Sequence, residues 1–315
     1  MKVSMAFKQR AEAFVLGLQD AICQALEGVE AQHEEVGQGA PGTFREDRWE
    51  RPGGGGGRSR VLEGGRVLEK AGVNVSAVWG EVPDAVKAQM PGDGDTFFAT
   101  GVSLVLHPRN PHAPTTHANF RYLERGSVGW FGGGSDLTPY VLYEDDARHF
   151  HHTLRAACQA GAGAHADLYQ RFKDWCDTYF WNTHRHEARG VGGIFFDHLR
   201  PETAGFPTDL DALWTFWTSA AESFLPAYLP ILLRRKDTPA TEAERTWQLV
   251  RRGRYVEFNL LHDRGTKFGL QTQGRIESIF MSLPPLVRWD YDVQVVPGSR
   301  EAALLEVLAH PRDWT

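Results

Sequence analysis

Residues 101–123, GVSLVLHPRNPHAPTTHANFRYL, concentrate side chains able to do chemistry, and their apolar and polar positions alternate with the period of a strand. In the first run Val102, Leu104 and Leu106 share one face, and Ser103, Val105 and His107 share the other. In the second run Ala118, Phe120 and Tyr122 form a greasy face opposite His117, Asn119 and Arg121. A hairpin that buries both greasy faces in one core would project Ser103, His107, His117, Asn119 and Arg121 from a single sheet surface. Two imidazoles, a guanidinium, a hydroxyl and an amide could there move protons and hold an anionic group. The plainer reading is the wet face of an antiparallel sheet, and the pattern alone leaves both open. Pro108, Pro111 and Pro114 stiffen a connection too long for a two-residue turn, which reads as a lip over that surface.

Two carboxylates extend the set. Asp136 follows the glycines of WFGGGSDLTPY, where a strand interrupted by Gly132–Gly134 signals a bulge or a close approach. It is either a turn former or a paired, catalytic carboxylate. Asp263 ends a run in which Tyr255, Glu257, Asn259 and Leu261 alternate with Val256, Phe258, Leu260 and His262, so it is expected on the polar side of a strand with Arg264 beside it. An adjacent guanidinium favours the ionised carboxylate, the alternative being a surface ion pair.

Ten of the 13 histidines lie between His107 and His198. Neutral imidazoles ligate metals and also act as acids and bases near neutral pH, but no HxxxH or HExxH pair is present. A metal would have to collect His107, His117, His151 and His184 from separate elements, whereas a lone buried histidine is usually hydrogen-bonded structure.

Several elements must position these groups. Residues 5–28 form an amphipathic helix with Phe14, Leu18, Ile22 and Leu26 on one face. The run Gly53–Gly57 reads as a linker or hinge, with close backbone approach to a ligand as its alternative, and Gly64–Gly65 suit a hairpin turn. Val73–Trp79 alternates as a strand, and residues 84–97 form a polar connection. A helix from Glu144 buries Phe150, Leu154 and Cys158, and its phase turns His151 inward and His149 outward. A second helix, from Asp167 to about Glu187, ends in His184, Arg185 and His186, with His186 phased inward more than His184. Arg189–Leu199 reads as a buried strand, Leu210–Arg235 and Glu242–Arg252 as helices, and Arg275–Leu283 as a last strand. About seven strands, mostly in hairpin order, and about five helices specify an α+β fold: a large, mainly antiparallel sheet flanked by helices on both sides.

Composition sets the outer limits. The 315 residues are 42% hydrophobic and 23% charged, ordinary for a soluble protein, with no apolar run long enough for an integral membrane segment. A net charge of -6 gives no reason to expect a nucleic acid partner. The start lacks the apolar core of a signal peptide, and Cys23, Cys158 and Cys176 are too few and too scattered for a disulfide framework, so a cytoplasmic protein is expected.

The blocks GGGGGRSRVLEGG, AGVNVS, GVSLVLHPRNPHAPTTHANFRYLE, WFGGGSDLTPY, YFWNTHRHEARGVGGIFFD, RRGRYVEFNLLHDRGTKFGL and ESIFMSLPPLVRWDYD together resemble, in order and over nearly the whole chain, the oxygen-dependent coproporphyrinogen III oxidases. The resemblance implies one domain over residues 1–315, working as a homodimer in haem biosynthesis. It implies oxidative decarboxylation of the ring A and B propionates of coproporphyrinogen III to vinyl groups. Molecular oxygen is the co-substrate, CO2 and H2O2 are released, and protoporphyrinogen IX is formed. Ser103, Asn119, Phe120, Arg121 and the turn Gln273, Gly274, Arg275 are thereby expected to contact substrate, with His117 as proton donor. The family has two glycines before the arginine of that turn, whereas this chain reads QGR. His107, His117, His151 and His184 fall where bacterial relatives are proposed to hold a divalent metal, manganese being a candidate. Asp136, Asp263 and Arg264 fall where the family has groups implicated in catalysis, and Tyr255–Tyr291 where it has dimer contacts.

The chemistry is consistent with these residues. Arginine forks match the propionates that stay, and a buried Asp136 or Asp263 could accept pyrrole N–H bonds and stabilise positive charge on the ring. The reduced macrocycle is electron rich, so no flavin, haem or nicotinamide is expected. Two other functions stay open: a non-catalytic tetrapyrrole carrier, and a histidine-ligated metal oxygenase acting on another acid.

Overall fold

The computed structural model describes residues 5–32, 40–83, 87–88, 90–160, 168–201, 203, 205–206, 209–272 and 274–315. Its centre is a seven-stranded sheet made of β1 (Arg45–Glu50), β2 (Gly55–Glu63), β3 (Leu68–Glu81), β4 (Thr96–Pro108), β5 (Thr115–Arg125), β6 (Val128–Thr138) and β9 (Gly193–Leu199). The strands lie in chain order, each antiparallel to its neighbour. Between β6 and β9 come α2 (Glu144–Gln159), α3 (Leu168–Tyr179) and a small ribbon of β7 (Trp181–Asn182) and β8 (Glu187–Ala188). The remaining helices are α1 (Met5–Gln32), α4 (Leu210–Glu222), α5 (Phe224–Arg235), α6 (Glu242–Leu261), α7 (Arg264–Gln271), α8 (Ile276–Phe280) and α9 (Arg300–Ala309).

The hairpin of β4 and β5 has the expected register, with Ser103 opposite Asn119 and Val105 opposite His117. Leu104, Ala118 and Phe120 therefore face a core closed by Ile22 and Leu26 of α1, Phe150 and Leu154 of α2, Trp217 of α4 and Tyr228 of α5. The buried stripe of α1 holds Leu18, Ile22 and Leu26, as its four-residue spacing requires. Near the end of α1 the buried Glu30 carboxylate accepts backbone N–H bonds from Gly42, Arg66, Val67 and Leu68 at 2.7–3.0 Å, which ties the helix to the β2–β3 turn. The opposite sheet face carries the polar row and is partly covered by α6, α7 and α8, as shown by Tyr255 against His107 and Ser278 bonded to Ser59.

Several expectations are corrected. Gly55–Gly57 begin β2 and are not a linker, because Gly55, Gly56 and Gly57 pair in register with Val78, Ala77 and Ser76 of β3. The proline connection is packed and is no lip: Pro111, His112, Ala113 and Pro114 are buried, and Asn110 holds it by donating to the Lys236 and Thr238 carbonyls. Tyr255–Leu261 is helical. The Thr241–Glu244 capping box starts α6, and its ladder continues past Gly253 because Tyr255, Val256, Phe258 and Asn259 then share a buried face. The same residues satisfy a two-residue period over a short window, so tertiary packing decides. Residues 276–280 are likewise the short helix α8 instead of a strand. The helix expected to reach Glu187 ends at Tyr179, so His184 and His186 sit in the exposed turn between β7 and β8, where helix phase does not apply.

Candidate active site

On the polar sheet face, β5, β6 and β9 form the floor of a cavity of about 460 Å³, lined there by His117, Asn119, Arg121, Trp130, Gly133, Gly134, Phe195 and Asp197. The floor is flat at its centre because a Cβ on Gly134 would lie 2.4 Å from the Ile194 carbonyl oxygen, a contact that only glycine avoids. Tyr179 and Phe180 at the end of α3, and Asp263, Arg264 and Phe268 at the junction of α6 and α7, close the walls. A second cavity of about 410 Å³, lined by Trp49, Arg51, Phe97, Gly274 and Arg275, shares Met90, Leu123 and Phe268 with the first.

The two aspartates differ in kind. Asp263 is not on a strand. It caps α7, taking the Thr266 N–H at 2.7 Å and hydroxyl at 2.8 Å, and it accepts the Tyr179 hydroxyl at 2.8 Å. Burial alone would raise its pKa, but these three bonds more than offset that and hold the carboxyl below its ordinary value. Burial, followed by the charge of Asp263, pushes the Tyr179 phenol up to about 12, so Tyr179 stays a donor. Arg264 does not pair with Asp263; its guanidinium lies over the Tyr179 ring, 4.8 Å from the centroid.

Asp136 is buried behind the cavity wall and reaches it only through His117. Its Oδ1 accepts from His117 Nδ1 at 2.8 Å, and Arg189 Nη2 lies 2.8 Å from both of its oxygens. Burial would raise this carboxyl, and Arg189, then the His117 bond, brings it below the ordinary value. Nδ1 therefore carries the proton, and His117 Nε2 is the nitrogen left for the cavity. Arg121 is held by Asp197 at 2.8 Å and Asn119 at 3.2 Å. Its remaining donors stay available, since a guanidinium has more N–H groups than this pair uses.

Other expected site residues are dispersed. The side chain of Phe120 lies on the opposite sheet face in the core, where truncation to alanine should cost about 3–5 kcal/mol, so only its backbone, between Asn119 and Arg121, is on the cavity side. Ser103 stands beside Asn119 on the cavity face. Gly274 and Arg275 border the second cavity, with Arg275 paired to Asp47 and bonded to Ser278; Gln273 lies outside the described residues.

The four histidines expected as metal ligands are not brought together. His107 is buried between the Thr115 hydroxyl at 3.1 Å and the Ser282 carbonyl at 2.8 Å. His151 is equally engaged, with the Tyr169 hydroxyl at 2.7 Å and the Val191 carbonyl at 3.0 Å. His184 is on the surface between His262 and Glu257, both at 2.9 Å. Of these four, only His117 borders the cavity. Among the described residues no group of three or more His, Cys, Asp or Glu is arranged to hold a metal ion, so this set does not fit one.

Comparison with known proteins decides the family. The sequence model described as coproporphyrinogen III oxidase matches residues 10–314. The chain belongs to the coproporphyrinogen III oxidase family. Relatives named oxygen-dependent coproporphyrinogen-III oxidase include those of Synechococcus sp. (strain CC9902), 48% identical over 98% of this chain and 87% of the relative, and Parasynechococcus marenigrum (strain WH8102), 49% identical over the same shares. That of Prochlorococcus marinus (strain MIT 9313) is 47% identical over 98% of this chain and 90% of its own length.

Tyr179, Arg189 and Asp197 enter this family member's site without having been singled out in the sequence. Asp197 could have been found by extending the alternation of β9, where Phe195 and Asp197 share a face. Arg189 had a weaker signal, a single cation just before the buried run of β9.

Proposed function

We propose that this protein catalyses the oxygen-dependent oxidative decarboxylation of the ring A and B propionates of coproporphyrinogen III, giving protoporphyrinogen IX in haem biosynthesis. One observation carries the reading: Arg121, Arg264, Asp263 and the Nε2 side of His117 border one cavity on a flat sheet floor. A porphyrinogen presents outward carboxylates and inward pyrrole N–H groups, and this arrangement answers both. Arg121 is suited to a propionate, and Asp263, ionised and fixed as a helix cap, to the ring nitrogens. The second cavity, with Arg275 and Arg51 at its border, supports a macrocycle larger than the first cavity alone, with retained propionates directed there.

The chain's own residues then divide the work. Asp263 stabilises positive charge as the ring gives up electrons to O2. His117 exchanges a proton with the substrate through Nε2 while Asp136 steadies Nδ1. Tyr179, Phe180 and Phe195 wall the reacting side chain from water, which strengthens these interactions.

The exposed apolar side chains Leu260, Leu261, Leu286, Trp289 and Tyr291, all within or beside the expected dimer segment, support a homodimer. Sedimentation of the native protein and of Leu261→Glu tests that part.

The activity is tested by incubating the protein with coproporphyrinogen III in air and under argon, each with and without chelator. CO2 and H2O2 should form only in air, and chelator should leave the rate unchanged. Binding without CO2 release would indicate a carrier, and turnover that chelator abolishes and metal restores would indicate a metal oxygenase.

A further inference from the structure

Arg189 is an enclosed cation directly behind the site, and the family assignment says nothing about it. It follows β8, and its guanidinium is packed against three aromatic rings: Phe180 at 4.0 Å, Tyr255 at 4.7 Å and Phe258 at 5.1 Å from the centroids. Nη1 donates to the Asn259 amide oxygen at 2.8 Å, and Nη2 straddles both oxygens of Asp136. Its Nε has no partner among the described residues. Arg189 and Asp136 are each 2% exposed, and neither borders the cavity. A buried charge pair of this kind is costly to assemble, and a surface requirement does not explain it.

We propose that Arg189 is a positioning residue for His117: it fixes the charge and plane of Asp136 so that the resting imidazole presents an unprotonated Nε2 to the cavity. The inference rests on the proposed role of His117 for its catalytic meaning, but not for its structural content.

The reasoning follows the protons. With Arg189 in place, Asp136 is an anion already balanced by a cation, and it accepts the Nδ1–H of a neutral ring. Without the cation, an unbalanced carboxylate in this dry setting has two outlets. It can take a proton and donate that O–H to Nδ1, which moves the ring proton to Nε2. Alternatively, it can keep its charge and pair with an imidazolium, which carries protons on both nitrogens. Both outcomes place a proton on Nε2, and both remove the acceptor from the cavity. In the intact arrangement His117 is first a proton acceptor, and it becomes a donor only after taking a proton from the substrate.

The test is two-bond 1H–15N correlation NMR of the 15N-histidine-labelled, substrate-free enzyme at neutral pH, with the His117 signal assigned by its loss in His117→Gln. The wild type should show His117 as the neutral Nδ1–H tautomer. Arg189→Met should shift it to a state with Nε2 protonated, and Arg189→Lys, which keeps a cation beside Asp136, should retain the wild-type pattern. In steady-state assays Arg189→Met should lose kcat at least a hundredfold with KM within about threefold of wild type, because Arg189 does not touch the cavity. A wild-type signal with Nε2 protonated overturns the proposal whether or not the variants fold. An unchanged tautomer in folded Arg189→Met, or a loss in that variant confined to KM, also overturns it. Because the NMR measurement uses no substrate, its failure is distinct from failure of the proposed reaction, which the gas-release assay reads.

Discussion

Tyr179 donates its hydroxyl to Asp263 Oδ1 at 2.8 Å, so the last residue of α3 fixes the first carboxylate of the α6–α7 junction across the cavity. Asp263 thereby accepts from Tyr179 at one oxygen and from Thr266 at the other, and the carboxylate so fixed borders the cavity. Asp136 is held by Arg189 and His117 and offers nothing directly. Carboxylates that lie far apart in the chain are thus placed differently, one at the cavity and the other behind an imidazole, and the roles proposed for them follow from that difference.

Asp263→Ala should separate stability from activity. Loss of an N-cap aspartate costs about 0.5–2 kcal/mol, because α7 loses the acceptor for the Thr266 N–H. Turnover should fall far more, on the order of a hundredfold or greater, as expected for removal of a charge-stabilising group. Denaturant melts and CO2 release on the same preparation check this, and a rate loss no larger than the stability loss would count against the assignment.

Tyr179→Phe keeps the ring stacked on Phe195, 4.0 Å between centroids, and removes only the hydroxyl. The net stability change should be about 1 kcal/mol. Asp263 loses one of the donors that hold it ionised, so kcat should fall roughly tenfold, and less at higher pH. A pH–rate profile for this variant is the check.

Gly132 sits under the pair of Arg121 and Asp197: a Cβ there would be 2.7 Å from Asp197 Oδ1 and 2.8 Å from Arg121 Nε. Gly132→Ala should displace these flexible ends and leave the strand intact. The expected result is a KM raised roughly tenfold with little change in melting temperature, since a displaced cation weakens binding of a propionate by about 1.4 kcal/mol.

The buried imidazoles should make folding sensitive to mild acid. Burial, the largest cause in each case, lowers His107 well below 6.5 and His151 to about 3. Both rings stay neutral in the fold, while the unfolded chain protonates them below about 6.5. Their stabilisation is therefore complete above that value and is lost as pH falls below it, for His151 down to about 3. Between pH 7.5 and 5 the loss should be about 2 kcal/mol for His151, and His107 adds to it in the same direction. Denaturant midpoints at the two pH values test this, and His151→Gln should reduce the difference by about one ring's share.

The hairpin of β4 and β5 is legible because its alternation is long, and the two-residue period of β5 alone gathers His117, Asn119 and Arg121 on one face, with Ser103 brought beside Asn119 by the pairing. The same alternation that turns the side chains of Asn119 and Arg121 to the cavity turns the Phe120 side chain to the core. His151 was correctly turned inward by helix phase, yet inward meant Tyr169 and Val191, contacts from elements far away in sequence. Tyr255–Leu261 failed because a short run satisfies two periods at once, and the burial of Phe258 and Asn259 on one helix face resolves it only in three dimensions. The pairing of Asp136 with Arg189 joins β6 to the residue after β8, a relationship no local pattern encodes.

The division between the two aspartates is tested most directly by anaerobic equilibrium binding of coproporphyrinogen III to Asp136→Asn and Asp263→Asn, alongside their aerobic turnover. The account predicts that Asp263→Asn weakens binding at least tenfold and abolishes turnover, while Asp136→Asn binds within about threefold of wild type and loses only turnover. Equal weakening of binding in both variants, or wild-type affinity in Asp263→Asn, would contradict it.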